Sequence, residues 1–267
     1  MSQRTMEAHY QPNWNLTQAH GLAAYNCGYA ESPGCGAFAG YQKALVWRLL
    51  GNTAIDADST VLDVGCGIGG PVRWIYERYH PSQTIGLEYL RSSVTAAHRD
   101  NARGADRMSF IQGDAHHLPL TDASVDVILN LESALHYADK RAFLVECHRI
   151  LKPNGTLCLG DITTNAKSFF APVRWLNALP SQFNCNVHLW SRSDYTDAFS
   201  ETGFDVAWHE EASQPIATSL AEGRAEMRKF GWWASRGFRG RRVLLALIES
   251  QLRSRALTYD LFAVKRR

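Results

Sequence analysis

The most constraining feature of this chain is a short apolar strand that runs directly into a glycine-dense turn, VLDVGCGIGG at residues 61–70. Pro71 follows and opens an amphipathic segment, and proline suits a first helical position because its fixed φ fits and its missing N–H is not needed there. The glycines permit positive φ angles and let the backbone approach a ligand closely. The pattern therefore predicts a strand, a turn and a helix N-terminus that together form a cofactor site.

Two classes of cofactor fit this turn. The glycines at 65–70 satisfy the dinucleotide fingerprint G-x-G-x-x-G, and Glu88, which ends the next apolar run, can accept the ribose hydroxyls of NAD or of an adenosyl group. Asp63 would repel a pyrophosphate but not a cationic sulfonium amino acid. Asp114, after a third short strand, can accept a hydrogen bond from an exocyclic adenine amine. These carboxylates favour the sulfonium cofactor.

The order of the motifs resembles that of the class I S-adenosylmethionine (SAM)-dependent methyltransferases. The series VLDVGCGIGG, IGLE, GDAHHLPL, VDVILNLESALHY and RILKPNGTLCLGD covers about residues 60–165. Five motifs in order are much more specific than any single one. The resemblance implies SAM as the cofactor, with Asp63, Gly65 and Gly67 around the methionine portion, Glu88 on the ribose, Asp114 and Ala115 at the adenine, and Asn130 near the methyl group. Cys66 and Tyr89 are also expected to bind the cofactor.

An aromatic pair near the N-terminus resembles a lid found in mycolic acid-type and small-molecule methyltransferases. The stretch YNCGY begins at Tyr25 and ends at Tyr29. The resemblance implies that both tyrosines reach over the methionine end of the cofactor. Packing of both rings in the protein interior is the alternative.

Apolar runs alternate with helical stretches along the chain. The β-rich runs lie near 60–64, 83–88, 107–112, 124–131 and 155–162, and the helical stretches lie near 70–80, 90–103 and 138–151. Such alternation predicts an α/β fold with a parallel sheet covered on both faces and ligands at the carboxyl ends of the strands. The resemblance adds a Rossmann-like, seven-stranded, mostly parallel sheet with a helical lid. Its last two strands, near 204–208 and 256–264, are expected as the sixth and seventh, with the seventh inserted antiparallel between the fifth and sixth.

Six segments follow from this plan. They are an N-terminal helical lid at 1–58, a SAM-binding core at 59–165, a lid insertion at 166–191, a further core segment at 192–212, substrate lid helices at 213–250 and a final core strand at 251–267. We expect substrate specificity in the lid segments because the sheet supplies only the cofactor site.

Composition excludes several other classes of protein. The net charge of +2 gives no reason to expect a nucleic-acid partner, and NLES at 130–133 is not the N-P-P-Y type used on exocyclic base amines. No apolar run approaches the ~20 residues of a membrane span, and the first residues lack an apolar signal core. The six cysteines form no C-x-x-C pair, which predicts reduced thiols in a cytoplasmic protein without a bound metal.

The candidate catalytic residues follow the fourth and fifth predicted strands. His136 lies just beyond Asn130 on a loop expected to face the cofactor, and Asp161 ends the fifth strand. A histidine with a nearby carboxylate can act as a general base, and both positions resemble the base candidates of a sugar O-methyltransferase subgroup. Two structural alternatives stay open. Glu132 and His136, at i and i+4, could pair on a short helix, and Asp161 could cap the turn at 163–164.

Within the class, the chain resembles the O-methyltransferases of phthiotriol and phenolphthiocerol dimycocerosates, sugar O-methyltransferases and tocopherol C-methyltransferases. These resemblances imply methyl transfer to a hydroxyl of a small or lipid-like metabolite in natural-product biosynthesis, with His136 as the base. Transfer to carbon or nitrogen is one alternative, because eight tryptophans could surround a cation. A protein that keeps SAM as a scaffold for a cyclisation or a binding role is the other.

A basic and aromatic segment at 224–242 has three interpretations. It suits a phosphorylated substrate, peripheral contact with an anionic membrane surface, or a solvated helix face with one buried stripe. The sequence does not indicate an oligomeric state.

Overall fold

The computed structural model describes Glu7 and residues 22–101, 106–165, 187–229 and 236–267. Seven strands form one sheet: β1 Thr60–Val64, β2 Gln83–Glu88, β3 Met108–Gln112, β4 Val125–Leu131, β5 Leu151–Thr164, β6 Phe204–Glu211 and β7 Leu257–Arg266. The α-helices with bounds in the described ranges are α1 Phe38–Leu50, α2 Gly70–Tyr79, α3 Arg91–Asn101, α4 Lys140–Ile150, α5 Arg192–Glu201, α6 Ser213–Lys229 and α7 Arg236–Arg253. A 3₁₀ turn spans Ala134–His136.

The strand order is β3-β2-β1-β4-β5-β7-β6. Strands β1 to β5 are parallel, whereas β7 runs antiparallel to both β5 and β6. The predicted Rossmann-like sheet, including the inserted seventh strand, is therefore confirmed. The chain reverses its direction of winding between β1 and β4, and ligands in such folds bind at the carboxyl ends of the strands beside this point.

Alternating side chains of the strands build two cores, one on each face of the sheet. Val61 packs into a cluster with residues of α1, α2 and α6, whereas Leu62 packs into a cluster with residues of α4 and α5. Burial on both faces explains why the central strands are almost continuously apolar. The exceptions in these strands are polar residues near the carboxyl edge, and they carry the site described below.

Strand β5 begins earlier than the sequence suggests. Residues 151–155, LKPNG, join the predicted helix near 138–151 to the predicted strand near 155–162, and their composition is typical of a turn. They lie inside β5, because Leu151 pairs with Val125 and the register then shifts between Val125 and Val127. Asn154 takes a φ of 63° within this irregularity. A bulge of this kind inserts extra residues without ending the strand, which is why turn-forming residues did not end β5.

Two helices of the predicted lid segments pack as part of the core. Helix α1 buries Leu45 and Leu49, and α6 buries Ile216 and Leu220 in the same cluster. The lid segments also contain an aromatic and apolar stretch at 169–176 and a tryptophan pair at 232–233, and both lie outside the described residues. Among the described helices, none is both long and apolar enough to cross a membrane.

Candidate active site

Asp63 is an isolated buried acid at the end of β1. Asp63 is 2% exposed to solvent, and its Oδ2 has no hydrogen-bond partner among the described residues. Burial, and then the neighbouring charge of Glu88, raises the pKa of Asp63 to about 8. Because an unpaired carboxylate away from water is costly, this position favours a ligand that brings a positive charge.

The glycine turn is held against the end of β2 by backbone hydrogen bonds. The amides of Gly65 and Cys66 both donate to the Leu87 carbonyl, at 2.8 and 3.1 Å. The amide of Gly67 donates to Glu88 Oε2 at 3.0 Å. Burial raises the pKa of Glu88 even though backbone amides oppose the shift. The Glu88 carboxylate has further lone pairs that can accept hydrogen bonds from hydroxyl groups.

The residues predicted at the adenine follow β3. Asp114 Oδ1 accepts the backbone amide of His116 at 2.9 Å and its ring Nδ1 at 2.7 Å. Burial alone would raise the pKa of Asp114, but these His116 contacts outweigh it and lower the pKa. Ala115 is buried, and the Tyr89 side chain stands 39% exposed beside the end of β2. The His116 imidazole is thus a direct partner of the Asp114 carboxylate.

Asn130, Ser133 and Tyr137 form a hydrogen-bonded group at the carboxyl end of β4. Asn130 Nδ2 donates to the Val64 carbonyl at 2.9 Å and to the Tyr137 hydroxyl at 3.1 Å, while its Oδ1 is buried without a partner. The Tyr137 hydroxyl also lies 2.8 Å from Ser133 Oγ. A Cβ on Gly65 would lie 2.1 Å from Ser133 Oγ. Ser133 and Tyr137 were not predicted, although both stand inside the fourth motif.

The site fits SAM in its polar character. The orphan carboxylate of Asp63 can hold the ammonium of the methionine portion, and Glu88 can accept the ribose hydroxyls. Asp114 can accept the exocyclic amine of adenine. The missing side chain of Gly65 leaves no Cβ between the turn and the group at Asn130. These groups meet at the carboxyl ends of β1 to β4.

Of the two predicted catalytic residues, His136 lies in the turn after β4, and Asp161 lies within β5, which continues to Thr164 instead of ending at Asp161. The hydrogen bonds described for Asp161 do not reach His136. His136 is the last residue of the 3₁₀ turn and is partly exposed to solvent. Asp161 is fully buried; its Oδ2 accepts the Tyr195 hydroxyl at 2.5 Å, and its Oδ1 accepts the amide of Ile162 at 2.9 Å. Burial raises the pKa of Asp161 to about 6, against the charge of Lys140. A His136–Asp161 pair stays a prediction.

The Tyr29 hydroxyl is bound at the outer edge of the sheet. It donates to Glu210 Oε1 on β6 at 2.9 Å, and the Arg48 guanidinium stands 5.9 Å from the Tyr29 ring centroid. Strand β6 is the outer strand next to β7, and three strands separate it from β1. Tyr29 therefore has a packing and hydrogen-bonding role at the sheet edge in this structure. A position of the Tyr29 ring over the methionine portion of SAM stays a prediction. Tyr25, on the same segment, is 46% exposed.

Glu132 has partners that the sequence did not suggest. Its Oε1 accepts the Cys27 amide at 2.8 Å and the Tyr259 hydroxyl at 2.8 Å, and its Oε2 lies 3.3 Å from Cys27 Sγ. Burial raises the pKa of Glu132 to about 7, although these hydrogen bonds favour the ionised form. The expected i,i+4 pairing with His136 is not among the hydrogen bonds described for Glu132. No local sequence signal relates residues 105 positions apart.

Part of the basic segment is explained by contacts within the fold. Arg224 Nη2 on α6 forms an ion pair of 2.8 Å with Glu249 on α7, and the Arg224 side chain is 21% exposed. The Arg224 contact agrees with the interpretation of the segment as a helix face with a structural role. The side chains of residues 229–242 lie outside the described part of the chain.

Comparison with known proteins agrees with this site. Residues 62–159 match the family described as methyltransferase domain. This part of the chain is thus similar to methyltransferase domains, and its cofactor is SAM.

The relatives are small-molecule and lipid methyltransferases. Erythromycin 3''-O-methyltransferase of Saccharopolyspora erythraea is 33% identical over 144 residues, which cover 52% of this chain and 46% of the relative. The phthiotriol/phenolphthiotriol dimycocerosates methyltransferase of Mycobacterium tuberculosis is 36% identical over 106 residues, covering 39% of this chain and 38% of the relative. The matches thus span less than half the length of these two relatives.

Solved structures share the fold over nearly the whole chain. A [4+2]-cyclase superposes with a TM-score of 0.76 at 20% identity, covering 98% of this chain and 93% of the cyclase. Geranyl diphosphate C-methyltransferase of Streptomyces coelicolor superposes with a TM-score of 0.77 at 18% identity, covering 95% and 92% of the two chains. At this identity the likeness establishes the fold and leaves the reaction open.

Proposed function

We propose that this chain transfers the methyl group of SAM to a hydroxyl of a small or lipid-like metabolite, with His136 as the general base. The observation that carries the proposal is the position of His136. It ends the turn that follows Asn130 and Ser133, and Ser133 approaches the glycine turn at Gly65. The names of the relatives, which include an O-methyltransferase, support oxygen as the acceptor atom.

The protein has little covalent chemistry to perform. SAM, when bound, supplies a methyl group already activated on a sulfonium. Asp63 and Glu88 hold the cofactor in one orientation, so that the acceptor oxygen, the methyl carbon and the sulfur can align. Transfer of the methyl group to the acceptor oxygen would leave the electron pair of the broken C–S bond on the sulfur. His136 removes the hydroxyl proton, which increases the nucleophilicity of the oxygen.

Methyl-labelled SAM with purified protein tests this proposal. The acceptors are a metabolite extract from the source organism, a hydroxylated macrolide glycoside and a long-chain diol, and products are identified by mass spectrometry. We expect a labelled methyl ether and one S-adenosylhomocysteine released per product. The Asp63→Ala variant, which loses the carboxylate at the methionine portion, should give no labelled product.

The position of the label decides among the reactions. Fragmentation that places the label on carbon or nitrogen would reject O-methylation while retaining methyl transfer. Tight SAM binding without labelled product across the acceptors, together with conversion of an acceptor to an isomer, would indicate that the fold uses SAM as a scaffold. Either result would overturn the proposal.

A further inference from the structure

A segment of irregular backbone crosses the carboxyl edge of the sheet. We call residues 22–30 the strap. At one end Ala23 packs directly on the start of α2, since a Cβ on Gly70 would lie 2.1 Å from the Ala23 carbonyl oxygen. At the other end Tyr29 binds Glu210 on β6. The strap therefore extends from the glycine turn to the far side of the sheet.

Helices α1 and α6 provide several of the hydrogen bonds that hold the strap. Gln42 Nε2 on α1 donates to the carbonyls of Ala24 and Asn26, at 2.9 and 3.2 Å. The Ala30 amide donates to the Pro215 carbonyl at 3.2 Å. These contacts fix the strap to the helices that cover one face. They leave its middle, at Cys27, to be fixed by a residue just beyond the end of β4.

Glu132 provides that connection. One carboxylate oxygen accepts both the Cys27 amide and the hydroxyl of Tyr259, a fully buried residue of β7. The Cys27 thiol meets the second oxygen. The carboxylate thus joins the strap to β7 immediately beyond Asn130, the residue next to the predicted methyl group.

The backbone at Glu132 is held in an unfavourable conformation to do this. Its φ is 52°, a region that non-glycine residues rarely adopt, and its amide donates to the Gly160 carbonyl at 2.8 Å. A withdrawn carboxylate is also a costly way to hold two elements together, since apolar packing would serve stability at least as well. Strained residues of this kind concentrate at functional sites.

We propose that Glu132 is a positioning residue that fixes the strap at Cys27, and that the strap so fixed retains SAM in its site. The proposal depends on SAM binding by the domain and is independent of the acceptor atom. It can therefore fail while O-methylation holds, and the reverse is also true.

Two measurements test this proposal. Hydrogen exchange at Cys27 reports how firmly the strap is fixed, and the rate of SAM dissociation reports how well the strap retains the cofactor. In Glu132→Gln, the side chain keeps its size but loses its charge, and a hydrogen bond to a charged acceptor is replaced by a weaker neutral one. We expect exchange of the Cys27 amide to accelerate about ten- to a hundredfold. We expect SAM dissociation, followed by stopped-flow displacement, to accelerate at least about tenfold. Tyr259→Phe removes one donor from the same carboxylate and should change both rates in the same direction.

Glu210→Gln is the matched control. It makes the same isosteric change in a carboxylate that also accepts a hydrogen bond from the strap, but at the sheet edge. Both rates should stay at the wild-type value in this variant. Faster Cys27 exchange with unchanged SAM release in Glu132→Gln would overturn the proposal. So would lost methyl transfer with unchanged exchange and release, because Glu132 would then act on the acceptor itself.

Discussion

At the scale of single residues, the carboxylates near the turn define the site better than the glycines do. Asp63 lacks a partner for Oδ2, and Asn130 lacks one for Oδ1, although both residues are buried. Buried polar atoms are normally paired, so orphan atoms at the end of two adjacent strands indicate a ligand. The positions of both residues could be predicted from the motif, because it places polar residues where buried strands end. Their missing partners could only be seen in the folded chain.

Binding of SAM should be linked to the proton on Asp63. The pKa of this carboxyl is about 8 without ligand, and the ligand's ammonium should lower it, so binding below this pH releases a proton. We expect SAM affinity to rise by up to about tenfold per pH unit between about pH 6 and 7.5. Titration calorimetry at about pH 7 in two buffers of different ionisation enthalpy measures the released proton. In Asp63→Asn that released proton should be absent; if the variant releases as much as wild type, another group is responsible.

The role proposed for His136 predicts a specific change in the pH profile. His136→Ala should lower kcat for a hydroxyl acceptor by about 10²–10⁴ and abolish the rise of kcat on the acidic side. The change leaves SAM affinity intact because the imidazole acts on the acceptor. His148→Gln, a change on α4 near Gly203, controls for the general effect of losing an imidazole. A nearly unchanged rate in His136→Ala would favour an unprotonated amine as acceptor.

At the scale of elements, the sequence predicts the strands and helices whose pattern is local, and it does not predict the parts that depend on distant contacts. The strands and helices near the cofactor could be predicted because hydrophobic runs and turn residues alternate regularly there. The start of β5 could not, because pairing of Leu151 with Val125 overrides the turn chemistry of residues 152–155. The strap could not be predicted either, since its connections to Glu132 and Glu210 cross large separations in sequence.

Gly65→Ala tests the close approach of the turn to Ser133. Gly65 has a φ of 82°, and an added Cβ would lie 2.1 Å from Ser133 Oγ and 2.5 Å from Ser133 Cβ. We expect a loss of about 1–3 kcal/mol of stability and at least about tenfold weaker SAM binding. Gly34→Ala is the control for backbone strain alone, because Gly34 has a φ of 72° with nothing within 4 Å of its Cβ. Ser133→Gly in the Gly65→Ala background should recover part of both losses. No recovery would mean that strain in φ, and not contact with Ser133, causes the defect.

At the scale of the whole molecule, ionisation of the buried acids lowers the stability of the fold. Burial raises the pKa of Asp63 to about 8, of Glu132 to about 7 and of Asp161 to about 6. Each folded-state value is above the ordinary value of the group, so the folded chain binds these protons more tightly than the unfolded chain. The stability they contribute is complete near pH 4 and is lost as the pH rises through about 8.

Denaturant unfolding at several pH values checks this consequence. The urea midpoint of the apo protein should fall between about pH 5 and pH 8, and each unit of raised pKa corresponds to about 1.4 kcal/mol. Saturating SAM should reduce the fall, because its ammonium stabilises the ionised carboxylate of Asp63 and because ligand binding favours the folded state. Asp63→Asn should likewise show a smaller fall than wild type without any ligand. A midpoint that rises from about pH 5 to pH 8 in the apo protein would contradict the assignment of these groups as buried acids with raised pKa values. The cofactor would then have no electrostatic deficit to relieve when it binds.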